Sequence, residues 1–352
     1  MNEKAKEVLT DLVLLRSTSE DDAKPIVDYV SDRLKRLGLK PKYYGEKDRP
    51  AIVAVHGSGG VVLSGHLDTV PHGEGWQQED GDVRVGRLYG RGACDMKGGC
   101  TAMLLAAESL VAASVPFTLC FTTDEETTMI GAGAAAKDPA FSKAPAILVT
   151  EPTAFEIVVK EKGLLQFSIG TEGVSAHASM PELGENAIHK MIALLARLEN
   201  LQRIPKNPNS EMTLCIDTIK GGTRINVIPG ECSAEIDVRY PPDMNTDSVL
   251  EAVRKRIGRD GYGLKILHEL APVETDASIP AVKALMELIG PNAVVTSVPY
   301  ATEMVMFRDA NKALMVCGPG DPKICHCDNE NIELAQIDRA VELYVEYCSK
   351  MI

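Results

Sequence analysis

The sequence predicts an α/β protein with a mixed sheet, interrupted by a smaller α+β domain. Three observations point there. Short apolar strands alternate with helix-spaced segments over the first 160 residues, the texture changes near Gly163, and helix-and-strand alternation returns after about residue 270. A chain of 352 residues also exceeds one ordinary core, which favours two domains. The boundaries read as 1–162 and 271–352 for a larger, discontinuous domain and 163–270 for the insert.

Apolar residues at helical spacing predict helices near 3–16 and 22–37. AIVAVHG and VVLSGHLD follow as short strands, then GGCTAMLLAAESLVAA as a helix. FTLCFTT and PAILVTE are apolar without alternation, as in strands covered on both faces. In the insert, GLLQFSIGTEG, a helix at NAIHKMIALLARLENL, MTLCIDTIKGG, GECSAEIDVRY, a helix near 247–258 and YGLKILHEL give the order strand, helix, strand, strand, helix, strand. That order suits a small unit with its own antiparallel sheet. APVETD leads back to the first domain, which ends in ALMVCGPG and a C-terminal helix.

Composition narrows the function. With 45% hydrophobic and 25% charged residues the chain is an ordinary globular one. A net charge of -13 disfavours nucleic acid and anionic membranes as partners, because both need a basic patch. The N-terminal segment carries charges through its apolar positions and lacks the apolar core of a signal peptide, and no stretch reaches the roughly 20 apolar residues of a membrane span. Nine cysteines without a CxxC pair fit reduced thiols, so a cytoplasmic protein is expected.

The candidate site residues fall just past strand ends, where open α/β sheets place their ligands. In VVLSGHLDTVP, His66 and Asp68 are two residues apart and share a strand face, so the carboxylate can orient the imidazole as a metal ligand. A solvated strand end is the plain alternative. GRGACDMKGG presents Asp95 before a helix, FTTDEETTMIGAG presents Asp124, Glu125 and Glu126, LVTEPT presents Glu151, and GPGDPKICHCDNENI presents His326. Singly, Asp95 could be a helix cap, the acidic run a solvated turn, and His326 a structural histidine. Together, carboxylates gathered at one sheet edge repel unless a cation neutralises them, and two histidines among them favour a transition metal over magnesium or calcium. His56, His72, His189 and His268 read as structural.

GHLDTVP, GRGACDMKGG, TTDEE, TEPT, GVSAHAS, GGTRINVIPG and HCDNE, in this order, resemble the motifs of the co-catalytic zinc deacylases. That family includes acetylornithine deacetylase, succinyl-diaminopimelate desuccinylase, aminoacylase and glutamate-releasing carboxypeptidases, and the resemblance covers essentially the whole chain. It implies a zinc-peptidase-like catalytic domain interrupted by a lid domain that also dimerises, with two Zn²⁺ per chain and Co²⁺ as a substitute. Carried over, it makes Asp95 the bridge between two metals, with His66 and Glu151 on one and Glu126 and His326 on the other. It makes Glu125 the general base, Asp68 a positioning partner of the ligands, and His177 an oxyanion donor acting from the partner subunit. Arg224, Asn226 and Arg239 are candidate contacts for a substrate carboxylate, with packing or salt bridges within the lid as the alternative.

The implied reaction is hydrolysis of the amide of a small N-acyl amino acid. YATEMVMF, ALMVCGPGD and HCDNE look closest to the acetylornithine deacetylases, with Thr302 and Glu303 near the substrate and Glu303 able to meet a cationic amine. The rivals are a desuccinylase, a dipeptidase or carboxypeptidase, and a hydrolase releasing lysine or ornithine from an amino-group carrier protein. A non-catalytic metal-stabilised binding protein would be expected to lack the base, and Glu125 is present. Cysteines flank His326 where the family commonly has Ala-His-Thr or Ala-His-Gln. An extended CHC segment would turn Cys325 and Cys327 away from His326 and leave an oxygen-and-nitrogen site.

Overall fold

The computed structural model describes residues 3–199, 211–258 and 261–352. Contacts divide the chain into two compact units, one of residues 1–159, 275–296 and 302–352, the other of 160–274 and 297–301.

In chain order, α1 (Glu3–Leu14) and α2 (Lys24–Arg36) precede β1 (Lys42–Gly45), β2 (Pro50–His56) and β3 (Val61–His66). A short hairpin, β4 (Val83–Arg84) and β5 (Arg87–Tyr89), enters a kinked turn at Ala93–Lys97. Then come α3 (Gly98–Ala112), β6 (Phe117–Thr122), α4 (Ile130–Ala135), α5 (Pro139–Lys143), β7 (Ile147–Val149) and β8 (Ile157–Glu161). The second unit contains β9 (Gly163–Glu172), α6 (Ala187–Glu199), β10 (Thr213–Gly221), β11 (Glu231–Tyr240), α7 (Thr246–Ile257), β12 (Gly263–Leu270) and β13 (Val273–Glu274). The chain closes with α8 (Pro280–Ile289), β14 (Val295–Val298), α9 (Met304–Phe307), β15 (Leu314–Val316), β16 (Asn331–Glu333) and α10 (Leu334–Lys350). Asn200 and Leu201, which end the helix expected in the insert, lie outside the described residues.

In the first unit the strands run β1-β2-β6-β3-β7-β15-β8. β3 is parallel to β6 and β7, and β15 to β7, while β1, β2 and β8 pair antiparallel, so the sheet is mixed. Every residue of β3 and β6 is buried, as their unbroken apolar character requires. On one face Leu9 and Leu12 of α1, Met103 of α3, and Tyr344 and Tyr347 of α10 pack with Leu63 and Leu119. Both tyrosine hydroxyls donate to backbone carbonyls, of Cys317 and Ala281, which lets the two rings be buried without an orphaned polar group. α3 begins close to the sheet because Gly99 has no side chain. A Cβ there would lie 2.3 Å from the Thr150 carbonyl oxygen. That approach sets the turn carrying Asp95 near the ends of β3 and β7.

A second, three-stranded sheet in the order β16-β5-β4 joins residues 87–89 to 331–333. Its strands of two and three residues are too short to show a period in the sequence.

The second unit is built on an antiparallel sheet in the order β10-β11-β9-β12. Burial alternates along β9 and β11, and Leu165, Phe167, Ile169, Ala234, Ile236 and Val238 meet Met191 and Leu198 of α6 and Val249 and Val253 of α7. Asn245 caps α7 by accepting from the Ser248 amide, while the Ser248 hydroxyl accepts from the Asn245 amide. No helix among the described residues is long and apolar enough to cross a membrane.

Candidate metal centre and active site

His66 ends β3 in the middle of the sheet, with 1% of its surface exposed. Its Nδ1 is 2.9 Å from the Asp68 carbonyl oxygen, an acceptor, so Nδ1 carries a hydrogen and Nε2 is the atom left to face a metal ion. Nε2 faces Asp95 Oδ1 at 3.2 Å and Glu151 Oε1 at 3.3 Å. The Asp68 side chain does something else. Its Oδ1 accepts from the Glu125 amide at 3.2 Å and its Oδ2 from the Glu126 amide at 3.0 Å. The backbone carbonyl thus orients the imidazole, and the carboxylate fixes the loop that carries both glutamates.

Asp95 sits in the kinked turn ahead of α3, and Glu330 holds that turn. Glu330 Oε1 accepts from the amides of Cys94 and Asp95 at 2.8 and 2.9 Å, and Oε2 takes a 2.7 Å bond from Arg91. Arg91 and Glu330 are 4% and 1% exposed, so the pair is a buried scaffold beneath the site. Sequence reasoning assigned neither residue a role. Their signal was an arginine in GRGACD and a second acid in HCDNE, each beside a recognised ligand.

His326 occupies the exposed loop before β16 with φ 60, the left-handed region that few non-glycine residues adopt. Its Nε2 lies 3.0 Å from Glu126 Oε1 and 3.3 Å from Asp95 Oδ2. The CHC segment is therefore not extended, which corrects the geometry expected for it. Cys327 is exposed, and Cys325 turns inward to face Cys94.

The ligand atoms form trios within 4.8 Å: His66, Asp95 and Glu151 in one, and Asp95, Glu126 and His326 in another. Asp95 belongs to both and offers a different oxygen to each histidine. His66, Glu125 and Glu126 make a third trio, so Glu125 faces the same space. No cysteine enters any trio among the described residues.

The electrostatics fit cations. Burial favours neutral His66, yet the carboxylates of Glu151, Asp95 and Glu125 hold its pKa well above the usual range. His326, bonded to Asp95 and Glu126, is pushed up to about 10. Burial acts to raise Asp95, but bonds from His326 and His66 hold it below the ordinary carboxylate range. Burial and the negative charge of Asp95 push Glu151 up to about 7. Glu125 is driven well above its usual range by burial and by Glu151, Glu126 and Glu303. Protons on two imidazoles balance crowded carboxylates here, and divalent ions can take their place.

Free His326 keeps its proton until about pH 10, and a bound ion needs its lone pair. Adding zinc to metal-free protein at pH 7 should release roughly one proton from each imidazole and part of one from Glu151, seen as acidification in a weakly buffered titration. Saturable zinc binding without proton release would mean that neither imidazole is a ligand.

The remaining candidates are placed as follows. His177 is exposed in the second unit, where its Nδ1 accepts from the Ser179 amide at 3.2 Å, so Nε2 carries the outward hydrogen. Ala178 donates to the Asn226 carbonyl at 3.0 Å, which sets the His177 loop beside the exposed Arg224 and Asn226. Arg239 grips Asp237 through Nε and Nη2 at 2.8 and 3.2 Å, so a substrate carboxylate would compete with Asp237 for it. Glu303, just before α9, is fully enclosed, and neither of its oxygens makes a hydrogen bond among the described residues. Burial pushes it up to about 8 despite the nearby Thr122 hydroxyl, and its carboxyl does not reach solvent.

Residues 62–350 match the model of peptidase family M20/M25/M40, which takes in every ligand of both trios. The chain belongs to this family. It is therefore a hydrolase of a metal-dependent kind. An acetylornithine deacetylase of Myxococcus xanthus is 29% identical over 94% of this chain and 93% of its own. A probable succinyl-diaminopimelate desuccinylase of Staphylococcus epidermidis is 27% identical over 97% of each. Among solved structures, an M20 family metallo-carboxypeptidase from Sulfolobus solfataricus superposes with a TM-score of 0.83 at 19% identity, covering 99% of both chains, which shows the shared fold.

Proposed function

We propose that this M20 enzyme hydrolyses the amide bond of a small N-acyl amino acid, with N-acetylornithine as its first substrate and two zinc ions as its cofactor. The observation that carries the reading is the division of Asp95 between the two trios, with Glu125 beside both. When bound there, paired divalent ions polarise the scissile carbonyl and make water acidic near neutral pH. The chain's own residues do the rest. Glu125 takes a proton from water and returns it to the departing amine, a shuttle suited to a carboxylate that burial and neighbouring acids push above its usual range. Asp68 keeps the two adjacent glutamates in their separate tasks through the backbone amides. His177 supplies an N–H to the oxyanion, and Arg224, Asn226 and Arg239 supply contacts for the α-carboxylate.

The acetylornithine deacetylase relative, matched over 94% of this chain and 93% of its own, supports the choice of substrate. A net charge of -13 weighs against an acidic carrier protein as the thing bound. Assays of N-acetylornithine, succinyl-diaminopimelate and a dipeptide panel, with zinc and with cobalt, test it. N-acetylornithine should give the highest kcat/KM. Release of amino acid from a carrier protein without cleavage of free acyl amino acids would reverse the assignment.

We also propose a homodimer joined through the second unit. β10 and β12 end its sheet, and such edge strands are suited to pairing with a second copy. If His177 serves the neighbouring site, mixing inactive His177→Ala with inactive Glu125→Gln chains should restore activity. Random exchange makes about half the dimers hybrid, so recovery should approach roughly a quarter of wild-type sites. Demonstrated exchange without recovery would place His177 in its own chain's site or in none.

A further inference from the structure

Two thiols outside the ligand trios lie on the loops that carry the shared carboxylate and the exposed histidine. Cys94 precedes Asp95, Cys325 precedes His326, and their sulfurs are 3.9 Å apart. Both sulfurs face the Asp321 carbonyl oxygen, at 3.5 Å from Cys94 and 3.8 Å from Cys325. Gly320, at φ 103, leaves the room they occupy, since a Cβ there would sit 2.5 Å from the Cys94 sulfur. The members of the pair differ. Cys94 is fully buried and its amide is bonded to Glu330, whereas Cys325 is partly open to solvent on the loop before β16.

A disulfide needs sulfurs about 2.05 Å apart, so these two must close by about 1.9 Å. With Cys94 pinned at its backbone, the movement falls on Cys325 and so on its neighbour His326. That imidazole has little slack, because its Nε2 is within 3.3 Å of carboxylates on two other loops.

We infer that Cys94 and Cys325 form an oxidative modification site, which a hydroperoxide converts to a disulfide that draws His326 away from Glu126 and Asp95 and empties that trio of its ion. The Cys325 sulfur, on the less buried of the two residues, attacks a peroxide oxygen. The O–O bond breaks, a sulfenic acid forms, and with hydrogen peroxide the first water leaves. The Cys94 sulfur then attacks the Cys325 sulfur, the S–O bond breaks, and hydroxide departs with the thiol proton as the second water. Two thiols lose two electrons, and the peroxide is reduced by two. The effect on His326 rests on the metal-site reading, whereas formation of the disulfide does not.

The test uses the full chain loaded with zinc. It is treated with a small excess of hydrogen peroxide, alkylated under denaturing conditions, digested and mapped by mass spectrometry, while a chromogenic chelator follows zinc release. The expected result is a peptide joining Cys94 to Cys325 and release of about one zinc per chain, both reversed by dithiothreitol and added zinc. Cys325→Ser, whose side chain belongs to neither trio, should retain turnover and keep its zinc under the same peroxide. The proposal is overturned if both thiols remain alkylatable, if Cys325 joins Cys327 instead, if the link forms without zinc loss, or if Cys325→Ser loses zinc as fast as the parent. A chain that binds no zinc yet forms the link would count against the metal-site reading and uphold the thiol pair.

Discussion

Replacing Glu125 by glutamine should lower kcat by about 10²- to 10⁴-fold while two metal ions stay bound. The structure separates these effects. It is the Glu125 amide, not its side chain, that the Asp68 carboxylate holds, so a glutamine of equal size leaves the loop where it is. Glu126 next door keeps its bond to His326, and neither trio that contains Asp95 includes Glu125. What is lost is a carboxylate poised to hold and release a proton. Kinetics and elemental analysis on one preparation decide the matter, and a variant with most of its turnover intact would remove Glu125 from the base role.

Asp95→Asn should cost more metal than any other single ligand change. Its two oxygens serve different histidines, so an amide in place of the carboxylate weakens both trios at once. Affinity should drop by at least about 100-fold, beyond the effect usual for outer-shell partners. The desalted variant should carry under one equivalent of zinc, with turnover near background. Glu126→Gln provides the contrast, since it touches one trio and should leave about one ion in place. An Asp95→Asn chain that still held two ions would refute the bridging arrangement.

The gathering of acids and histidines was legible because the chemistry of a cation site leaves an outline in sequence, while the choice of five ligands among them came from the family resemblance. Acids and histidines appear where apolar strands stop, and His66 and Glu151 follow strands whose burial is plain from their residues. The fold class was legible for the same reason, through unbroken apolar strands separated by helices. What stayed hidden depends on backbone geometry. The i, i+2 spacing put Asp68 near His66, but could not show that the carbonyl faces the imidazole while the carboxylate faces two amides. The left-handed turn at His326 breaks the alternation assumed for CHC. Glu303 read as a polar residue near substrate, and its enclosure arises from packing around α9 that no local pattern encodes. Arg91 and Glu330 meet across 239 positions, beyond the reach of any short motif.

That last distance fixes an order of events during synthesis. As the chain leaves the ribosome, His66, Asp95, Glu126 and Glu151 have all been made by residue 151, yet the acid that steadies the turn of Asp95 arrives at residue 330. The intervening second unit can close on its own sheet and core first. The nascent protein therefore passes through a long interval with four candidate ligands present and no finished cradle, until residues 326 and 330 have been made. Ribosome-arrested chains stopped before Glu330 should accordingly retain less zinc through a chelator wash than the released full chain.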